Sequence, residues 1–124
     1  MSFNSQIKYI AIGTTLVVWV LCLIPLPQVG VPGGDKTHHM LAYATLMLLW
    51  VISINGGATL KQQAQIAAAL VVMGLAVECA QGLTTYRFFE WADVAANTAG
   101  VLLGWMAAMG VLRVRTARRR KIQG

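Results

Sequence analysis

Apolar residues fall in four long runs that lack both strand-like alternation and the polar stripe of a soluble helix. The first, "YIAIGTTLVVWVLCLIPL", covers Tyr9 to Leu26 and is broken by Pro25 and Pro27. The second runs from about His39 to Ile54 and is closed by "NGG". The third, about Ala64 to Leu83, contains one acid, Glu78, and a few amides; the fourth runs from about Asp93 to Leu112. Each approaches the ~20 residues that cross a hydrocarbon core of ~30 Å. Helices satisfy their own backbone polar groups in that medium, and without alternation a barrel is disfavoured. The expected fold is therefore an all-α integral membrane protein, four transmembrane helices in an up-and-down bundle. The first run follows Lys8 as a signal peptide would, but "PLPQVGVPGGD" offers no A-x-A-like cleavage site, so retention is expected.

Composition agrees. Of 124 residues, 57% are hydrophobic and 11% charged, against about 25% charged in soluble domains. Residues 1–112 are expected to form one membrane domain and 113–124 a basic tail. Four spans put both termini on one side, together with eight basic residues and no acid, six of them in "RVRTARRRK". The other side carries Lys36 and Arg87 with all four acids, Asp35, Glu78, Glu90 and Asp93. The positive-inside rule then makes both termini cytoplasmic in a multi-pass cell (inner) membrane protein whose acidic face is exterior. "TTYRFFEW" reads as an outer aromatic belt. The pI of 9.9 raises nucleic acid as a partner, but the basic excess lies in the tail, where it anchors topology and touches anionic lipid; membrane lipids are the expected partner, and nucleic acid is not.

Up-and-down connectivity gathers the remaining polar residues at one end. Lys36, His39 and Tyr43 follow at three and four residues, on one helix face. Glu78 and Gln81 stack likewise, and Asp93, Asn97, Gly100 and Gly104 form a stripe that is polar outside and smooth inside. Asp35 and Arg87 stand at the adjoining loops. Alignment on three helices implies a shared polar pocket, whichever side of the membrane it faces.

These elements also resemble the VanZ-like membrane proteins. The matching segments are "DKTHHMLAYATL" as D-K-x-x-H-x-x-x-Y-x-x-L, "ECAQ" as E-x-x-Q, and "RFFEWADVAANTAGVLLG" as R-x-x-x-x-x-D-x-x-x-N-x-x-G-x-x-x-G. The resemblance spans Asp35 to Gly104 and leaves out the first helix and the tail. His38 beside the motif position His39, and Cys79 inside E-x-x-Q, are differences of context that leave the pattern intact. The resemblance implies an envelope setting and a link to low-level resistance to the glycopeptide teicoplanin; it implies no particular reaction.

Ionisable residues inside a membrane point to function unless they pair with each other. His39, Glu78 and Asp93 are the candidate acid/base groups, His39 because histidine titrates near neutral pH. Asp35, Lys36, Tyr43, Gln81, Arg87 and Asn97 are candidate ligand-binding residues. The structural alternative pairs Glu78 with Arg87 or Lys36, makes Asp93 an N-cap, and treats Asn97, ~6 Å deeper along the axis, as interhelical glue. For Asp93 and Asn97 both readings stand. Gly100 and Gly104 form a G-x-x-x-G expected to allow close helix packing. His38 points away from His39, so the pair does not enclose a haem. Lys36 and Arg87 weigh against a cation at His39, Glu78 and Asp93, and neither metal nor cofactor is expected. Cys22 and Cys79, in different spans, establish no disulfide framework.

Three functions compete. The first is a site at the outer leaflet for an anionic lipid-linked or cell-envelope ligand, or a glycopeptide, with or without catalysis. The second is a non-catalytic scaffold whose polar residues are structural pairs. The third, proton-coupled transport, needs a polar path inward, and the inner halves of the second and fourth runs are nearly all apolar.

Overall fold

The computed structural model of the protein describes residues 2–24, 34–85 and 88–124, and of Asp35 the backbone alone. Arg87 lies outside the described residues. Among the described residues there are four helices: α1 (Phe3–Leu23), α2 (Gly34–Ile52), α3 (Leu60–Gly82) and α4 (Trp91–Gln123). Among the described residues there is no strand.

Each helix begins two to six residues before the apolar run it contains, because hydropathy marks where hydrocarbon starts while hydrogen bonds mark where the helix starts. Ser2 caps α1, its hydroxyl accepting the Ser5 N–H at 3.2 Å. α1 stops short of Pro25, which disfavours helical geometry in the residue before it. Thr59 and Gln62 form a reciprocal capping box on α3, at 2.9 and 3.2 Å. The α2–α3 turn passes through Gly56 and Gly57 at φ 78° and 91°, a region that disfavours a side chain. α4 has 33 residues, about 50 Å at 1.5 Å per residue, so it outruns a bilayer core by roughly 20 Å. Residues 113–123 continue it as helix and carry the basic cluster.

α1, α3 and α4 are long and apolar enough to cross a membrane. α2 is 19 residues long but more polar, because Asp35, Lys36, His38 and His39 crowd its first turns. It is also the helix with most cover, touching all three others. Chain direction alternates: Asn4 near the start of α1 donates to the Ile54 carbonyl beyond the end of α2, at 3.1 Å. Gln81 near the end of α3 donates to the Cys22 carbonyl near the end of α1, at 2.7 Å.

The closest pair is not sequential. α2 and α4, which run parallel, pack most extensively, α3 packs across both, and α1 packs against α2 and α3, meeting α4 where the Arg115 guanidinium lies 5.9 Å from the Phe3 ring centroid. The cause is the G-x-x-x-G stripe. A Cβ on Gly100 would fall on the Met40 carbonyl, and one on Gly104 on the Ala44 carbonyl. Both contacts have the same register, since Gly104 follows Gly100 and Ala44 follows Met40 at the same interval of four, as two parallel helices in direct backbone contact require.

Burial is inverted relative to a soluble bundle. Ile10, Leu16, Val17, Val20, Val72, Leu102 and Met106 are exposed, whereas His39, Glu78, Gln81, Asp93 and Asn97 are buried. Such an apolar exterior would drive aggregation in water and suits lipid. At the end opposite the polar cluster, indole N–H groups bridge helices: Trp50 to Thr15 at 3.1 Å and Trp105 to Gln63 at 2.8 Å.

Gly100→Ala or Gly104→Ala is expected to destabilise the bundle by about 1–3 kcal/mol or more, since only backbone stands in the way of the new methyl. Gly13→Ala and Gly110→Ala, with no neighbour within 4 Å of a Cβ, should be neutral or slightly stabilising. Unfolding in detergent micelles, followed by circular dichroism, compares the four.

Candidate functional site

The polar residues meet where α2 and α4 begin and α3 ends. On α2 the buried face reads His39, Tyr43, Leu46, Met47 and Val51, a helical stripe with its polar members at the mouth. On α3 the inward residues near the end are Gly74, Glu78 and Gln81, and on α4 Asp93, Asn97, Gly100 and Gly104. His39, Glu78 and Asp93, one from each helix, are all buried and each offers a ligand atom within 4.8 Å of the others. Glu78 has 0% exposure.

Hydrogen bonds hold this group from outside. His39 Nδ1 lies 3.1 Å from Asn97 Oδ1, so an imidazole N–H donates to the amide oxygen and the ring is oriented by α4. Glu78 Oε1 accepts the backbone N–H of Glu90 at 2.8 Å, which ties the end of α3 to the start of α4. Lys36 is half exposed at the rim, its Nζ 3.4 Å from Glu90 Oε2 and 3.9 Å from Asp93 Oδ1. Inside, Tyr43 Oη, Glu78 Oε2 and Asn97 Nδ2 are buried with no hydrogen-bond partner among the described residues. Buried polar atoms left in that state are uncommon and call for an explanation.

Two of the sequence-based structural alternatives change here, and Gln81 gains a partner. Asp93 is not an N-cap: Glu90 holds that position, and Asp93 sits in the first turn with its N–H on the Glu90 carbonyl at 3.1 Å. That turn carries its carboxylate inward, where it is 4% exposed. Lys36 pairs with Glu90 and Asp93 instead of Glu78. Gln81 is buried but binds the Cys22 carbonyl, a latch between α1 and α3. Tyr43 and Asn97 are in the cluster as expected. His38 is exposed, as its position on the helix implies. The side chain of Asp35, and Arg87 altogether, fall outside the described residues.

Two site residues carried no clear sequence signal. Glu90 joins the cluster through its main chain, which residue type does not encode. Gly74 makes room for it: a Cβ there would lie 3.1 Å from Asn97 Nδ2 and 3.4 Å from Tyr43 Cε1. Its spacing of four from Glu78 was the available clue, placing it on the same face.

A sequence match to VanZ/LLP1 covers residues 3–113. The chain belongs to the VanZ/LLP1 family. The match takes in α1 and the whole described part of α4 up to its basic end, well beyond the motif-bearing stretch from Asp35 to Gly104. Membership, with helices apolar enough for a bilayer, makes this a membrane protein. No curated protein and no solved structure matches the chain. The segments that carry the VanZ-like pattern are those that converge on His39, Glu78 and Asp93.

If Asn97 orients His39, a double-mutant cycle of His39→Ala and Asn97→Ala should show a coupling of about 0.5–1.5 kcal/mol. Additive effects on unfolding in micelles would mean that the two residues are independent.

Proposed function

We propose that all four helices span the membrane with both termini cytoplasmic, and that the polar site opens at the outer leaflet of the cell membrane, where it binds an anionic lipid-linked or cell-envelope ligand. The orientation rests on charge: the starts of α1 and α3 and the far end of α4 hold eight basic residues and no acid. α2 fits as a fourth span because the other helices cover it and its polar first turns lie at the site.

The observation that carries the reading is a half-exposed cation above a buried ionisable group. Lys36 stands at the rim, and three helices bring His39, Glu78 and Asp93 together beneath it. An ammonium at headgroup depth suits a phosphate as a point charge. Arg87, in the neighbouring segment by sequence, adds a second. Beneath Lys36 the side chains of His39, Glu78 and Asp93 are placed to exchange protons with a bound group. A lipid-linked envelope ligand accords with the teicoplanin link that the VanZ-like resemblance carries, and the role we propose for the protein is in envelope biogenesis or glycopeptide resistance.

A scaffold without chemistry is the second reading. It draws on the pairs Lys36–Glu90 and His39–Asn97, which satisfy one another. The two part at the rim, because Lys36 on a scaffold has no ligand to hold.

Single cysteines in a Cys22→Ser/Cys79→Ser background test the topology. Leu83→Cys should react with an impermeant maleimide on intact cells, and Gln123→Cys only after permeabilisation; the reverse pattern sinks the orientation. For the ligand, each basic residue near a membrane surface contributes about 1 kcal/mol towards anionic lipid, roughly fivefold. Lys36→Ala/Arg87→Ala should therefore retain about 25-fold less anionic lipid by native mass spectrometry while staying folded. Unchanged retention would leave the scaffold.

A further inference from the structure

We propose that the groove between the start of α3 and the far part of α4, at the end opposite the polar cluster, binds the phosphate headgroup of an anionic phospholipid through Arg113 and Arg120. The groove has a volume of about 460 Å³, within the roughly 300–1,000 Å³ of small-ligand sites. Both arginines line it, with Thr116 between them on α4 and Gln63 opposite on α3. They stand two turns apart, about 10 Å along the axis, so their long side chains can close on one phosphate from both ends.

Neither arginine meets an acidic side chain. All four acids belong to the opposite end of the bundle, and neither guanidinium has a hydrogen bond or ion pair among the described residues. Arg115 shows the contrast: it donates to the Ile52 carbonyl at 3.3 Å and lies over the Phe3 ring, so it serves the fold. The hollow on its side of α4, of about 40 Å³, admits little more than water. In the larger groove Gln63 is 7% exposed and fixed. Its Nε2 donates to the Ala58 carbonyl at 2.9 Å and its Oε1 accepts the Trp105 indole N–H at 2.8 Å. One amide N–H is left for a ligand oxygen. Two guanidinium groups, a held amide and the positive end of α3 favour an anion, and the planar guanidinium matches phosphate.

The helix face that leads to the groove points to a lipid. Leu102, Met106, Met109, Arg113, Thr116 and Arg120 follow at intervals of four, three, four, three and four, so one face of α4 carries all six. The first three are exposed apolar side chains, and the face turns basic at Arg113. From Leu102 to Arg113 is about 16 Å along the axis, close to half of a ~30 Å hydrocarbon core. A phospholipid has the same outline, with an acyl chain of one leaflet beside the apolar part and the phosphate in the groove. A soluble polyanion would use the arginines and leave the stripe unused. Arg118 and Lys121 line neither hollow and attract anionic lipid only diffusely. The groove keeps these properties whichever side of the membrane it faces, and it is independent of the ligand site at the polar end.

The test uses full-length protein in mild detergent, with Cys22→Ser and Cys79→Ser, and the dye bimane attached at Met109→Cys. A nitroxide on the acyl chain of phosphatidylglycerol quenches the dye when that chain lies beside it. Quenching should saturate, and phosphatidylcholine bearing the same nitroxide should need at least about tenfold more lipid. Arg113→Gln/Arg120→Gln should raise the half-saturating concentration at least about 150-fold, roughly twelvefold for each charged contact. Arg118→Gln/Lys121→Gln removes the same charge outside the groove and should cost about 25-fold at most, roughly fivefold for each residue. All four positions are exposed, so both variants should fold, which circular dichroism checks. Lys36→Ala/Arg87→Ala should be quenched like the parent, so failure of the groove and failure of the site at the polar end are told apart. Equal losses in the two arginine and lysine pairs, or equal quenching by the two lipids, overturn the proposal. Displacement of the lipid by an equal concentration of glycerol phosphate also overturns it, since a site for phosphate alone has no use for the stripe.

Discussion

The contact on which the rest depends is backbone against backbone: Gly100 on the Met40 carbonyl and Gly104 on the Ala44 carbonyl. Helices in lipid gain little from hiding apolar surface, because the lipid is apolar too, so packing and interhelical hydrogen bonds must hold them. Two missing side chains let parallel α2 and α4 approach until main chain touches main chain. Their rotation and register are then set together. Asn97, one turn above Gly100, is brought to His39, and Asp93, a turn higher again, faces the mouth. Without this approach the residues of the cluster would still be on the same faces but out of reach of one another.

α3 completes the arrangement in a similar way. Gly74 leaves space for Asn97 and the Tyr43 ring, and one turn later Glu78 enters that space from the third side. The Glu90 N–H then clips the end of α3 to the start of α4. Small residues on two helices thus make room for large polar groups on all three. The resulting polar interior sits at the end of the bundle, where Lys36 reaches solvent or headgroups, and away from mid-bilayer, where the same groups would cost most. A site in that position can meet an anionic ligand without opening a polar path through the apolar halves of α2 and α4, which is why binding at one face suits the structure better than transport.

Much of this could be read along the chain because helical spacing is local. Intervals of three and four residues put Lys36, His39 and Tyr43 on one face, Glu78 and Gln81 on another, and Asp93, Asn97, Gly100 and Gly104 on a third. What faces each stripe is a different matter. Gln81 shares the face of Glu78 yet turns to α1, because the Cys22 carbonyl near that helix's end is the acceptor within reach. Asp93 looks like a cap in sequence and is an inward group, because the helix starts earlier, after Glu90.

By itself the amino-acid order determined the number of helices, the membrane as their medium, the family pattern, and the residues that share each face, since all of these follow from hydropathy and a fixed rise per residue. Tertiary structure alone decided that α2 and α4 are the closest pair, that Glu78 takes its hydrogen bond from a main-chain N–H, and that His39, Glu78 and Asp93 converge within 4.8 Å. Those outcomes depend on the distance and rotation between helices, which small residues permit but whose values emerge only when all the side chains are packed at once.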